Sequence, residues 1–408
     1  MPAPLVTEPA DSIITLLHFN QTAGTFNSPS STLTVGGNFT HTAGAFNANS
    51  GTAIFNGTVN QTITSSGIIF YNLTLNNTGT LGSDDIVIAD SLDVDGALVI
   101  TEGNLNLLVN NPNVNTQGDV IIESAGSVTK GAGIWTFSGN SSTLCDKTTQ
   151  GQDYGNLTVE GTAKTLTLSS AANTPTFTFT TLTIGADDTI DLNGENTAIT
   201  TLDNLGTLKL KGSETVSIAT MDTNSGLVEY YGDSTYTKLA AGNNYYNLTI
   251  SGHGSFTADS DLDVNGNFVH LNGTFNAPSG TMYVGGNWLK TATGGTITYF
   301  GGYAIHTFTT SGTFAGAGSS NVEVLVVAGG GGGGMDMGGG GGGGGVIYNA
   351  SYALVSSSYI ATVGAGGAGA PAAGINGQPG GSSIYHPRPE WRKLGLWNVD
   401  CYRRRLWR

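Results

Sequence analysis

Apolar and polar positions alternate in short runs along most of this chain. Runs such as Leu262-Asp263-Val264 and Asn267-Phe268-Val269-His270-Leu271 place apolar side chains on one face of a short strand, and the Gly-Gly or Asn-Gly between runs turns the chain. The pattern predicts many short strands.

The runs repeat. Leu33–Thr52, LTVGGNFTHTAGAFNANSGT, aligns without gaps on Leu262–Thr281, LDVNGNFVHLNGTFNAPSGT, with most positions identical. A shorter beat lies inside each copy: FNQTAGTFN (Phe19–Asn27) returns as FTHTAGAFN (Phe39–Asn47), and Phe268 is followed by Trp288, a period of twenty. A longer beat sets a Tyr/Gly-Asn-Leu-Thr tetrad after a strand ending in glycine, at Tyr71–Thr74, Gly155–Thr158 and Tyr246–Thr249.

A twenty-residue unit with about three strands is the size of one coil of a β-solenoid. Residues 15–290 are therefore expected to stack roughly fourteen coils at ~4.8 Å into a rod on the order of 70 Å long. Asn and Thr in register on successive coils would form side-chain ladders, a structural reason for the many Asn-x-Thr triplets, which also spell N-glycosylation acceptors. A string of small sandwiches with a period of about 85 residues is the competing all-β arrangement. The twenty-residue beat favours the solenoid.

Composition agrees with an all-β chain. Of 408 residues, 63 are glycine and only 11% are charged, a profile poor in helix formers and rich in strand and turn formers. The formal net charge of -15 argues against a nucleic-acid or acidic-membrane partner, which needs a basic surface. Cys145 and Cys401 are too few for a disulfide framework or a cysteine metal site. The opening MPAPLVTEPADSIITLL has neither a basic n-region nor a long apolar core, so neither a signal peptide nor membrane insertion is expected.

From about Gly294 the repeat stops. His306–Phe314, Val322–Ala328, Gly345–Leu354 and Ser358–Gly366 read as strands, and runs of six and eight glycines flank Met335-Asp336-Met337. Glycine loses more backbone entropy on folding than any other residue, so such runs stay ordered only if neighbouring backbone holds them. Without a Cβ they can adopt an extended left-handed helix with ~3.1 Å rise, whose amides bond to neighbouring helices of the same kind.

The SGTF hairpin, the VLVVAGGGGGG step, GGGGGV and NGQPGGSS (Asn376–Ser383) together resemble the glycine-rich domains of tail-fibre adhesins of tailed bacteriophages and of related phage and metagenomic proteins. The resemblance implies that loops joining such helices are receptor-contacting tips. Met335, Asp336 and Met337 would form one such loop, with a bacterial surface receptor, an outer-membrane protein or a glycan, as partner. A spacer with no partner is the plain alternative.

The last stretch, Arg388–Arg408, holds every arginine and three of the five tryptophans. A basic aromatic tail suits nucleic acid or membrane. Glycine codons read one base out of frame also yield Trp and Arg, however, so residues 388–408 are expected to be a frameshift product of a gene whose true frame continues in glycine.

Other candidate chemistry is incomplete. Asp261-x-Asp263-x-Asn265-Gly266 opens like a calcium loop but has Asn272 where a bidentate Glu belongs, and SLDVDGALVITE ends on Glu102 but starts on Ser91. Both read as a strand entering a turn. Asp84-Asp85 and Asp187-Asp188 sit in matching GSDD and GADD turns, and no arginine precedes residue 388 to handle a uronic acid, which weighs against a polysaccharide lyase or hydrolase. His41 and His270 share one repeat position and read as architectural. Tyr230-Tyr231 and Tyr245-Tyr246 read as packing, with sugar stacking as the alternative.

The expectation is an all-β chain in four parts: a segment 1–14, a β-solenoid 15–290, a small antiparallel glycine-rich domain 291–387 with polyglycine II segments, and the tail 388–408. The expected role is a non-enzymatic fibre or adhesin, a phage tail-fibre-like virion protein that binds a bacterial surface receptor and other fibre subunits, with no cofactor, metal, nucleic acid or membrane insertion. A bacterial cell-surface stalk is the runner-up, and a polysaccharide-active β-helix enzyme comes after it.

Overall fold

The computed structural model describes residues 13–171, 175–290, 292–300, 303–316, 321–336, 338–354, 358–372 and 384–387. The tail 388–408 and most of segment 1–14 lie outside the described residues. Among the described residues every regular element is a β-strand. The chain divides into two compact units that part between Trp288 and Leu289.

The first unit is a β-solenoid of about 14 turns of roughly 20 residues. Most strands pair in parallel with the strand one turn on. Along one face Ile13 pairs with Thr32, Thr32 with Thr52 and Thr52 with Asn72. The same face continues through Leu73 and Leu98, Leu98 and Val120, and later Leu227 and Asn247, and Leu248 and Phe268.

The step between turns is not constant. Bonds join residues 20 apart at Asn38 and His18 and at Asn267 and Asn247, but 25 apart at Ala97 and Asn72. Longer corner loops in the middle turns take up the difference, which is why the twenty-residue beat is legible only towards the two ends of the unit.

Strand composition explains the core. In Thr32–Val35 the side chains alternate, with Leu33 and Val35 fully buried and Thr32 and Thr34 towards the surface. Asn72–Asn76 repeats this with Leu73 and Leu75, and β-branched Thr suits the outer positions of a pleated surface. Stacking turns lays these inward residues into one continuous core from Phe19 to Phe268, each contributing roughly 1.5–3 kcal/mol by burial.

Corners pose a different problem, because backbone amides there lose the ladder and need other acceptors. Asn and Asp side chains supply them. Asn38 Oδ1 accepts from Thr62 N at 2.9 Å, Asn72 Oδ1 from Ala97 N at 2.9 Å and Asp119 Oδ1 from Thr143 N at 2.7 Å. Asn247 Oδ1 accepts from Asn267 N, and Asn267 Oδ1 from Asn287 N, both at 2.9 Å. A direct amide ladder also occurs, with Asn47 Nδ2 donating to Asn27 Oδ1 at 2.7 Å. The asparagines therefore act mainly as caps reaching one turn along the stack.

The longer beat has no single structural meaning. Asn72–Asn76 and Asn247–Ile250 lie on the same face, whereas Asn156–Val159 belongs to a separate 8-stranded sheet and pairs with Ile134–Phe137 and Thr176–Ile184. Pairing runs from turn to turn across these tetrads without closing into sandwiches.

The second unit is antiparallel. Thr296–Phe300 pairs with Tyr303–Thr307, Asn321–Val327 with Val346–Ala353, and Ser358–Thr362 with both Gly312–Ala315 and Ile384–Pro387. Phe314, Leu354 and Tyr359 form its small core.

Candidate functional site

In the second unit three glycine-rich segments, 328–334, 338–345 and 364–370, run side by side. Ala328 N donates to Gly345 O, Gly331 N to Gly342 O and Gly334 N to Gly339 O, each at 2.9 Å. The bonds recur at every third residue on both segments, which run antiparallel. Gly367 N donates to Gly330 O at 2.8 Å and Ala370 N to Gly333 O at 2.9 Å, again three residues apart and here parallel. A three-residue period is that of the extended polyproline II-type helix, which bonds only to its neighbours.

The same period decides which glycines are required. A Cβ on Gly329 or Gly332 would collide with the carbonyl of Ala365 or Ala368, and one on Gly341 or Gly344 with the carbonyl of Gly331 or Ala328. Gly339, Gly340, Gly342 and Gly343 have nothing near their Cβ direction. Close approach of backbones, every third residue, is thus what demands glycine.

Met335 and Asp336 sit where the first two segments reverse. Gly338 N donates to Met335 O at 3.2 Å, Asp336 takes a left-handed φ of 66°, and Met335 is 52% exposed. Met337 lies outside the described residues. Met335 offers a flexible, polarizable thioether and Asp336 an exposed acceptor. Both are carried on a backbone lattice whose three segments contain only glycine and alanine.

Residues 309–388 match the model of the glycine-rich domain family. No curated protein and no solved structure matches the chain. The match spans the antiparallel strands from Gly312 onward and all three glycine segments, so the Met335–Asp336 turn belongs to the glycine-rich domain.

Most of the other sequence candidates lie in the solenoid, where several cap or pair with neighbouring turns; the basic tail lies outside the described residues. Asp85 accepts from Asn104 Nδ2 at 2.7 Å and Asn106 Nδ2 at 2.9 Å, while Asp84 accepts from Gly82 N. Asp188 accepts from Lys164 N at 2.7 Å and Asp261 from Thr281 N at 2.8 Å, both corner caps. Asp263 is part of strand Leu262–Val264, and Glu102 pairs with Ala125 inside a ladder. His41 is buried, with Nδ1 3.1 Å from Ser65 O.

Each tyrosine pair splits between the two sides of its strand. Tyr230 and Tyr245 point inward with hydroxyls 3.0 Å apart, and Tyr230 also accepts from Ala241 N at 2.8 Å. Burial pushes both phenols well above the usual tyrosine range. Their neighbours face out: Tyr231 donates to Asp191 Oδ1 at 2.9 Å, and Tyr246 is exposed.

One buried polar cluster has no signature in the sequence. Asp146, fully buried, accepts from Thr148 N at 2.9 Å, Thr148 Oγ1 at 2.6 Å and Tyr154 OH at 3.2 Å. Burial first, and the Asp146 carboxylate second, hold the Tyr154 phenol well above its ordinary value. Asp146 ends strand Ser141–Asp146, and Thr148 and Tyr154 come from the long corner loop after it, so no periodic pattern marks them.

Proposed function

We propose that this chain is a fibre or adhesin-like protein, with the solenoid as shaft and the Met335–Asp336–Met337 loop of the glycine-rich domain as the contact surface. The partner is a bacterial surface receptor, an outer-membrane protein or a glycan, and the setting is the tail fibre of a phage virion. The observation that carries this reading is the mounting of the turn. Met335 and Asp336 project from a lattice held by backbone bonds alone, so side chains there can change without disturbing the fold. Met supplies adaptable apolar contact, and Asp336 can accept from sugar hydroxyls or face a basic receptor loop. The role is non-enzymatic: of the paired acids, Asp85 accepts from the Asn104 side chain and Asp188 from Lys164 N, both in structural contacts between turns.

Replacing Met335, Asp336 and Met337 together by Gly is expected to abolish or redirect binding in a pull-down on a panel of bacterial envelopes, with circular dichroism and melting temperature unchanged. Undiminished binding by the triple variant removes this loop from the contact surface. A parent protein that binds no envelope overturns the adhesin reading in favour of a structural stalk.

A further inference from the structure

The solenoid carries a groove that the proposed tip does not use. Its volume is about 600 Å³, and its lining includes Phe46, Asn47, Asn49, Ile69, Tyr71 and Asp95.

The groove exists because one face of the solenoid is interrupted. Strand Ala45–Asn47 pairs back to Thr25–Asn27, and Ile69–Phe70 pairs forward to Asp93–Val94, but the two belong to different sheets. The core stays closed beneath the gap, with the Phe46 and Phe70 rings 5.9 Å apart. Beside it, the turn after Ala45–Asn47 places Asn49 and Ser50 at left-handed φ of 50° and 59°, and the turn before Ile69–Phe70 places Ser66 at 48°. Such conformations cost about 1–3 kcal/mol each outside glycine and cluster at ligand-contacting segments.

The chemistry of the lining is selective. Tyr71 is 42% exposed and Ile69 47%, giving a ring face and an aliphatic edge. Three polar side chains are each held by one hydrogen bond that leaves a second atom available. Asn47 Nδ2 donates to Asn27 Oδ1 at 2.7 Å, Asn49 Nδ2 donates to Ser28 O at 2.8 Å, and Asp95 Oδ1 accepts from Gln117 Nε2 at 2.5 Å. Asn47 Oδ1, Asn49 Oδ1 and Asp95 Oδ2 are thus pre-positioned acceptors. An aromatic face beside several fixed acceptors, with no Lys or Arg in the lining, suits a ligand that has an apolar ring face and many hydroxyl donors, and it repels an anion.

We propose that this groove binds a neutral glycan, one pyranose ring stacking on Tyr71 while its hydroxyls donate to Asn47, Asn49 and Asp95. The site is separate from the Met335–Asp336 turn. The solenoid supplies its own comparison at Tyr246. Gly96 N donates to Tyr71 O at 2.6 Å and Gly266 N to Tyr246 O at 2.7 Å, so the two tyrosines occupy equivalent corners. There Asn265 stands in the place of Asp95, and it donates Nδ2 to Thr223 O at 3.0 Å.

The test uses the full chain, with neutral trisaccharides of glucose, galactose, mannose and N-acetylglucosamine, and trigalacturonate as the anionic counterpart. Saturation-transfer NMR and titration calorimetry are expected to show at least one neutral trisaccharide bound with Kd of about millimolar or tighter. Tyr71→Ala should weaken it by roughly tenfold or more and Asp95→Ala by a few-fold, whereas Tyr71→Phe, which keeps the ring face, should retain most binding. Tyr246→Ala and the triple-Gly variant of residues 335–337 should bind as the parent does, which keeps this site distinct from the tip. The proposal is overturned if no neutral trisaccharide binds, if trigalacturonate binds as well as the neutral sugars, or if Tyr71→Ala leaves binding intact. Unchanged circular dichroism of each variant shows that any loss is local.

Discussion

Phe19 and Phe39 stack face to face, with ring centroids 4.3 Å apart and planes 7° from parallel. They pair in register as backbone neighbours on successive turns. Phe26, Phe46 and Phe70 surround them, the Phe46 ring edge-on to both and Phe70 tilted against Phe39. The repeat in the sequence is therefore a direct contact in the core.

That contact makes Phe39 the position whose loss is most informative. Phe39 is completely buried, and Phe39→Ala is expected to cost about 3–5 kcal/mol locally. Because each turn of a solenoid rests only on its neighbours, faster amide exchange should be confined to the first turns, to about Asn76, with Thr165–His270 protected as in the parent. Hydrogen exchange read by mass spectrometry checks this. Uniform loss of protection along the unit would show that the solenoid folds as one indivisible block.

Alkaline pH should act through the buried tyrosines. Tyr230, Tyr245 and Tyr154 all have phenols raised by burial, and a free tyrosine in the unfolded chain titrates near about 10. The unfolded state loses its protons first, so the stabilisation is complete below pH ~10 and falls as pH rises above it towards the folded values. Tyr245→Phe should cost about 1 kcal/mol at neutral pH through the lost hydroxyl contact, yet show a shallower decline above pH ~10. Urea midpoints measured from pH 8 to 11.5 decide the matter. Parallel curves for parent and variant would count against it.

Two glycines in the glycine-rich domain should respond in opposite directions. A Cβ on Gly332 meets the Ala368 carbonyl, whereas one on Gly340 meets nothing. Gly332→Ala is expected to destabilise the bundle by about 1–3 kcal/mol, and Gly340→Ala to be neutral or stabilising by roughly 0.4–1 kcal/mol through reduced freedom of the unfolded chain. Limited proteolysis between Val327 and Thr362 provides the readout. Equal sensitivity of the two variants would mean that the every-third-residue packing is wrong.

Several features were legible in the sequence because the backbone itself demands them. Alternation in Leu33 and Val35 follows from the two-residue pleat, the Phe19–Phe39 step from one circuit of the coil, and the glycine runs from backbones too close for a Cβ. Asparagine at corners such as Asn72 and Asn247 was visible as a pattern, read as ladders, although its main work is to cap amides one turn away.

Tertiary structure alone decided the rest. The shift from Leu73 to Leu98 depends on how much loop the corner between them absorbs, and corner loops carry no periodic signal. The Asp146–Thr148–Tyr154 cluster forms because a long corner folds into the core, where its polar atoms must find one another. The groove beside Tyr71 arises where one face breaks between Asn47 and Ile69, and the glycines that must be glycine are those that meet a neighbouring backbone. Each depends on which distant segment lies alongside. Local spacing records what a residue's own backbone requires, whereas a partner 25 residues away is selected only when the turns stack.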